Sequence, residues 1–135
     1  MLSWRRPENL GVRDGRLAPP RRTPNCVSSQ CDPADTVHYI APIRFHGRLG
    51  QAMDAARRAV RAMERSTIVS EKGNYLYAEY RSRLLGYVDD VELLFDEAAG
   101  LFHVRSASRL GRRDFGVNRA RVERLRALIK EEGGA

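Results

Sequence analysis

Ser82, Asp89, Ser108 and Arg109 stand near the ends of three alternating runs and have the types to do chemistry together. A carboxylate flanked by two hydroxyls, with a guanidinium beside it, can hold a small polar or anionic ligand through charge-assisted hydrogen bonds. Asn118 and Arg119 follow at the start of a predicted helix, whose positive N-terminal end adds to the attraction for an anion or carboxylate. A second chemistry belongs to Cys26. A nucleophilic thiolate needs a base or a positive neighbour, and His38 is the nearest histidine in sequence. Each has a plain structural alternative: Asp89 frays into solvent or bonds loop backbone at a sheet end, and Cys26 is a small residue packing a loop.

The elements that must position these residues read clearly from residue 75 onward. Runs 75–82, 88–95 and 101–108 alternate apolar and polar residues, which predicts half-buried strands joined by short turns. Matching apolar to apolar in antiparallel pairs selects a register. It aligns Leu76 with Phe95 and Phe102, Ala78 with Leu93 and Val104, and Tyr80 with Val91 and Ser106. The next row is Ser82, Asp89 and Ser108, where the apolar face runs out. Arg109, with Arg112 or Arg113 in the loop beyond, supplies charge for that carboxylate. The opposite face carries Tyr77, Glu79, Arg81, Asp90, Glu92, His103 and Arg105. Its simplest reading is a solvent-facing lattice of ion pairs, each contributing about 0–1 kcal/mol. The other reading is a concave polar surface for a charged ligand or partner.

Upstream, residues 37–45 alternate with Val37, Tyr39, Ala41, Ile43 and Phe45 on one face, and Pro42 suggests an edge or a bend. Residues 49–65 predict a helix with a stripe of Leu49, Ala52, Met53, Ala56, Val60 and Met63. STIVS at 66–70 predicts a short strand, and Gly73-Asn74 a turn. A last helix runs from Asn118, its expected N-cap, to about Lys130, with Val122, Leu125, Leu128 and Ile129 facing inward and Gly133-Gly134 ending it. The order β-α-β-β-β-β-α implies an α+β fold: a mainly antiparallel sheet of about five strands, with both helices on one face. Residues 1–36, broken by five prolines, read as an irregular Pro/Arg-rich extension that includes the PNCVSS loop. Residues 37–131 form the single domain, and 132–135 a disordered tail.

Composition bounds the function. The net charge of +7 invites nucleic acid, but the 24 basic residues include only two lysines, Lys72 and Lys130, and the arginines are dispersed among acids. An exposed aromatic platform for base stacking is lacking beyond Tyr75 and Tyr77. Nucleic acid is therefore disfavoured as a partner, and weak binding stays as an alternative. Cys26 and Cys31, spaced C-x4-C, with His38 and His46, match no compact zinc module, so no metal and no cofactor is expected. No run approaches the ~18 apolar residues of a membrane-spanning helix. The N-terminus lacks a secretory apolar stretch, so a cytoplasmic protein is expected.

The segments PNCVSS (24–29), HYIAPI (38–43), AEYRS (78–82), GYVDDVEL (86–93) and HVRSASRLGRRDFGVNRARVERLR (103–126) resemble the domain-of-unknown-function family number 1499, small proteins of bacteria and plastids. The resemblance covers roughly residues 17–130 and implies no established activity. Many relatives look exported or lipid-anchored, and this chain departs from them in its leader. Cys31 does not belong to the pattern. The polar residues that do are Asn25, Cys26, Ser28, Ser29, Glu79, Arg81, Ser82, Asp89, Asp90, Glu92, Arg105, Ser106, Ser108, Arg109, Asp114, Asn118 and Arg119.

The reading is a non-catalytic binding or accessory domain with an anion-favouring site at its sheet end, for a small anionic ligand or a protein partner. The alternative is a thiol-dependent enzyme using Cys26.

Overall fold

A computed structural model describes residues 5–83, 86–111 and 116–133. In chain order the elements are β1 (Cys26–Ser28), β2 (Ile43–Arg44), α1 (Leu49–Arg61), β3 (Ser66–Lys72), β4 (Tyr75–Arg81), β5 (Val88–Asp96), β6 (Leu101–Ser108) and α2 (Val117–Glu131). The predicted α+β order holds, with β1 added in front of it. The sheet runs β1-β6-β5-β4-β3, with β2 also pairing β6, and every pairing between these strands is antiparallel.

Alternation decides which side chains meet. Leu76, Ala78 and Tyr80 of β4 share the inner face with Val91, Leu93 and Phe95 of β5 and Phe102 and Val104 of β6. Both helices cover that face. Ala52, Ala55, Ala56 and Ala59 of α1 are buried, and their small side chains let the helix sit close to the sheet. Val122, Leu125 and Ile129 of α2 complete the core. Phe45, Phe95 and Phe102 pack edge-on or tilted, with centroids 4.9–6.3 Å apart.

Several expectations are corrected. The β5–β6 register is as predicted, with Asp89 opposite Ser108. The β4–β5 register is displaced by two residues: Leu76 faces Leu93, Ala78 faces Val91 and Tyr80 faces Asp89. A two-residue shift keeps every side chain on its face, so apolar patterning alone does not choose between them. The turn chemistry does. Asn74 Nδ2 donates to the Phe95 carbonyl (2.8 Å), and Phe95 N–H donates back to the Asn74 carbonyl (2.8 Å).

The run 37–45 yields only the two-residue β2. Val37 is 52% exposed and Ile40 is in the core, the reverse of the alternation. The helix at 49 stops at Arg61 rather than 65, because Arg65 takes a left-handed φ of +57° and Ser66 Oγ donates to the carbonyls of Val60 and Met63. Leu49, assigned to the apolar stripe, is exposed. Asn118 is not the N-cap of α2. Gly116 is, at φ +81°, and Asn118 lies inside the helix with its side chain buried. Residues 26–28, placed in the irregular extension, form β1. Gly134 and the predicted loop arginines Arg112 and Arg113, together with Asp114, lie outside the described residues.

The largest correction concerns the outer face. Tyr77, Glu79, Asp90, Glu92 and Arg105 are buried, with between 0% and 8% exposure. The strap formed by residues 5–19 lies over them, held by Arg6, Gly11 and Pro19. A face expected to meet solvent meets the chain's own N-terminal segment instead.

Candidate functional site

The sheet-end residues divide between two networks. On the inner side, Arg121 Nη1 donates to Asp89 Oδ2 (2.6 Å), and its guanidinium sits 4.7 Å from the Tyr80 ring centroid. Ser106 Oγ donates to Asn118 Oδ1, and Asn118 Nδ2 reaches both Ser108 Oγ (2.8 Å) and the Asn25 carbonyl (3.1 Å). Asn25 Nδ2 in turn donates to the carbonyls of Leu110 (3.1 Å) and Gly111 (2.6 Å). The group therefore fixes the loop leaving β6 against β1 and α2. Burying so many polar atoms is tolerable because each finds a partner.

Ser82 does not join Asp89 and Ser108. It is exposed and caps the β4–β5 connection, its Oγ accepting from Tyr87 N–H (2.8 Å). Arg119 also lies apart, donating to the carbonyls of Val37 (3.2 Å) and Thr36 (3.5 Å). Only Asp89, Ser108 and Asn118 of the six expected ligand-binding residues share the inner network.

Arg109 belongs to the outer face. Glu79 and Asp90 stand directly opposite each other in the β4–β5 pair, and two like charges so placed repel. Arg109 relieves this. Its Nε donates to Asp90 Oδ2 (2.9 Å), and Nη2 reaches Asp90 Oδ1 (2.8 Å), Tyr77 Oη (3.0 Å) and Glu79 Oε2. Tyr77 Oη donates to Asp90 Oδ1. Arg6 of the strap adds two donors to Glu79 Oε2, at 3.0 and 2.9 Å. Hydrogen bonds to Asp90, against burial and with help from Glu79, hold the Arg109 guanidinium firmly charged. Burial alone would raise the Glu79 carboxyl, but the bonds from Arg6 and Arg109 outweigh it and hold the group below the usual carboxylate range.

Glu92 is the unsettled member of this face. Tyr75 Oη (2.6 Å) and Gly11 N–H (2.7 Å) both donate to its Oε2. Its Oε1 is buried with no hydrogen bond, and Arg105 Nη1 stands 3.9 Å away. Arg105 Nε is likewise buried without a partner, while Nη2 donates weakly to the Pro19 carbonyl (3.4 Å). Burial pushes the Glu92 carboxyl up, and the bonds from Tyr75 and Gly11 with the Arg105 charge only partly offset it.

Cys26 is fully buried in β1 opposite Ala107. His38 offers it no base. Its Nδ1 pairs with Asp35 Oδ2 (2.7 Å) and its Nε2 bonds the Thr23 carbonyl (2.9 Å). Burial lowers the His38 imidazole, but these partners outweigh it and raise the group overall. Cys31 is half-buried, its Sγ donating to the Ser28 carbonyl (3.5 Å), and burial pushes its thiol up. Both cysteines are free, and no cluster able to hold a metal ion occurs among the described residues. No helix among them is long and apolar enough to cross a membrane.

The sequence reading missed Arg121, Arg6 and Gly11. Arg121 had a signal, lying three residues after Asn118 on the same helix face. Arg6 and Gly11 had none, because nothing periodic marks residues 5–19.

Two outcomes follow from this geometry. A group whose folded pKa is raised contributes stability below its ordinary range and loses it as pH rises through the raised value. Glu92→Gln keeps an oxygen for Tyr75 and Gly11, so thermal unfolding at pH 7 should show a midpoint above that of the wild type. The gap should close as the pH falls below the carboxylate range. In thiol labelling of the native protein, Cys31 should react first, and Cys26 only at the rate of unfolding. Equal rates would show that β1 opens and exposes the buried thiol.

No curated protein and no solved structure matches the chain. The family described as "Protein of unknown function (DUF1499)" matches residues 16–129, leaving Arg6 and Gly11 of the strap outside the matched segment. With most of its length matched, the chain belongs to that family of proteins of unknown function.

Proposed function

We propose that this chain is a non-catalytic binding domain whose recognition surface is the charged outer face of its sheet. Its preferred occupant is a peptide segment carrying a guanidinium, a role that residues 5–19 play within the chain with turns at 8–9 and 14–15. One observation carries this reading: the face buries three carboxylates, Glu79, Asp90 and Glu92, against two guanidiniums, Arg105 and Arg109. Arg6 of the strap supplies the missing positive charge at Glu79.

The strap is a weak cover. Among residues 5–19 only Leu17 is buried, and the Arg6 side chain is 54% exposed, so its ion pair is worth little in water. Beneath it, Glu92 Oε1 and Arg105 Nε lack partners that a better-fitting occupant could supply. A peptide with a free backbone N–H and one arginine matches what the face asks for.

The version of this reading centred on an anion at the sheet end draws less support. There Arg109 faces Asp90 and Glu79, Arg121 faces Asp89, and Asn118 is engaged by Ser106 and Ser108. The thiol-enzyme reading is weaker still, with Cys26 enclosed and the His38 nitrogens both engaged.

The test loosens the strap and offers it back in trans. Gly11 sits at φ +99° and donates to Glu92, so Gly11→Pro cannot keep its conformation or its bond. A synthetic peptide of residues 5–19 should bind this variant saturably, in the micromolar-to-millimolar range, and bind the wild type far less. Arg6→Ala in the peptide should weaken binding about tenfold, the worth of one charged hydrogen-bonding group. Absence of saturable binding, or indifference to Arg6, would overturn the reading.

A further inference from the structure

A separate cleft of about 680 Å³ opens at the opposite end of the sheet from Asp89, beside the β3–β4 and β5–β6 turns. Its lining includes Gly15 and Arg16 of the strap, so it forms with the strap in place. The same lining carries the donors Arg16, Gln30 and His103 together with two carboxylates, Asp96 and Glu97 of the β5–β6 turn. Leu94 contributes apolar floor.

The donors are preset. Ser29 Oγ accepts from Val104 N–H (2.8 Å), and its single hydrogen has two destinations: His103 Nδ1 at 3.2 Å or the Val104 carbonyl at 3.5 Å. The contact engages His103 Nδ1, while Nε2 has no protein partner among the described residues. Arg16 Nη2 donates to the Gln30 carbonyl (2.9 Å), which fixes the guanidinium at the rim. Gln30 is held in turn, its Oε1 accepting from Leu17 N–H (2.9 Å), so its amide NH2 is left over.

The two carboxylates are braced in the same manner. Asp96 Oδ1 accepts from Ala99 N–H (3.0 Å), and Glu97 Oε2 accepts from Leu49 N–H at the start of α1 (2.7 Å). Each carboxylate thus uses one oxygen to hold backbone and keeps the other without a protein partner among the described residues. His103 lies within electrostatic reach of both signs of charge: burial lowers its imidazole, Asp96 acts to raise it and Arg16 to lower it.

We infer that this cleft binds a small zwitterion of the α-amino-acid class, its carboxylate on Arg16, Gln30 and His103 and its ammonium on Asp96 and Glu97. A simple anion would meet the two carboxylates, and a simple cation would meet Arg16. A molecule carrying both charges a few atoms apart satisfies the donors and the carboxylates at once.

Full-length, 15N-labelled protein titrated with glycine, L-alanine and L-glutamate tests this. Saturable shifts are expected at the amides of Gly15, Gly73 and His103, with α2 undisturbed. Glycinamide and N-acetylglycine, each lacking one charge, should bind about tenfold more weakly or worse, and Arg16→Ala should weaken glycine by a similar factor. The inference is overturned if no free amino acid gives saturable shifts, or if the blocked forms bind as well as glycine. The ligand-side comparison stands even where Arg16→Ala disturbs the strap.

Discussion

The structure turns on one guanidinium. Once β4 and β5 pair with Glu79 opposite Asp90, two carboxylates face each other under a cover that excludes water. Such an arrangement is untenable unless a cation enters between them, because buried like charges have nothing to screen them. Arg109, the first residue after β6, turns back across the sheet to bridge both. That bridge ties β6 to β4 across β5, while the backbone of the same residue donates to Val88 (3.1 Å). Tyr77, Arg6 and the strap then build outward from it.

The sheet that results has two different sides. Its inner side is an ordinary apolar core of alanines, aromatics and branched residues. Its outer side is a second, polar interior, where Glu79 is held below the usual carboxylate range and Glu92 above it. These two acids respond to pH in opposite senses. Glu79 contributes stability that is lost as pH falls through its lowered value, and Glu92 contributes less as pH rises through its raised one. The difference lies in their donors: three arginine nitrogens reach Glu79, whereas Arg105 stops 3.9 Å short of Glu92.

How much of this was legible in the sequence follows from what period-2 patterning encodes. It assigns faces, so the inner row and the Glu/Arg outer row were readable, as was the β5–β6 pairing that sets Asp89 against Ser108. It does not distinguish registers two residues apart, so patterning alone sets Ser82 beside Asp89, where Tyr80 stands. Patterning also says nothing of what lies over a face. A row of Glu79, Asp90, Glu92 and Arg105 looks like a wet surface until the strap is seen on it. The two tyrosines beside those acids, Tyr75 and Tyr77, were the available hint, since they bring apolar bulk and a hydroxyl that suits a buried carboxylate. β1 was too short for any period, and Asn118 looked like a cap because its buried bonds to Ser106 and Ser108 are tertiary.

The central claim is that Arg109 and Asp90 form a buried, strongly coupled pair rather than a surface ornament. A double-mutant cycle with Arg109→Ala and Asp90→Ala, measured by denaturant unfolding, tests it most directly. Arg109→Ala alone should cost about 3–5 kcal/mol, since it strands two buried carboxylates. The coupling energy of the pair should be about 2 kcal/mol or more. A single-mutant cost below about 1 kcal/mol with coupling near zero is the behaviour of an exposed ion pair, and it would contradict this account.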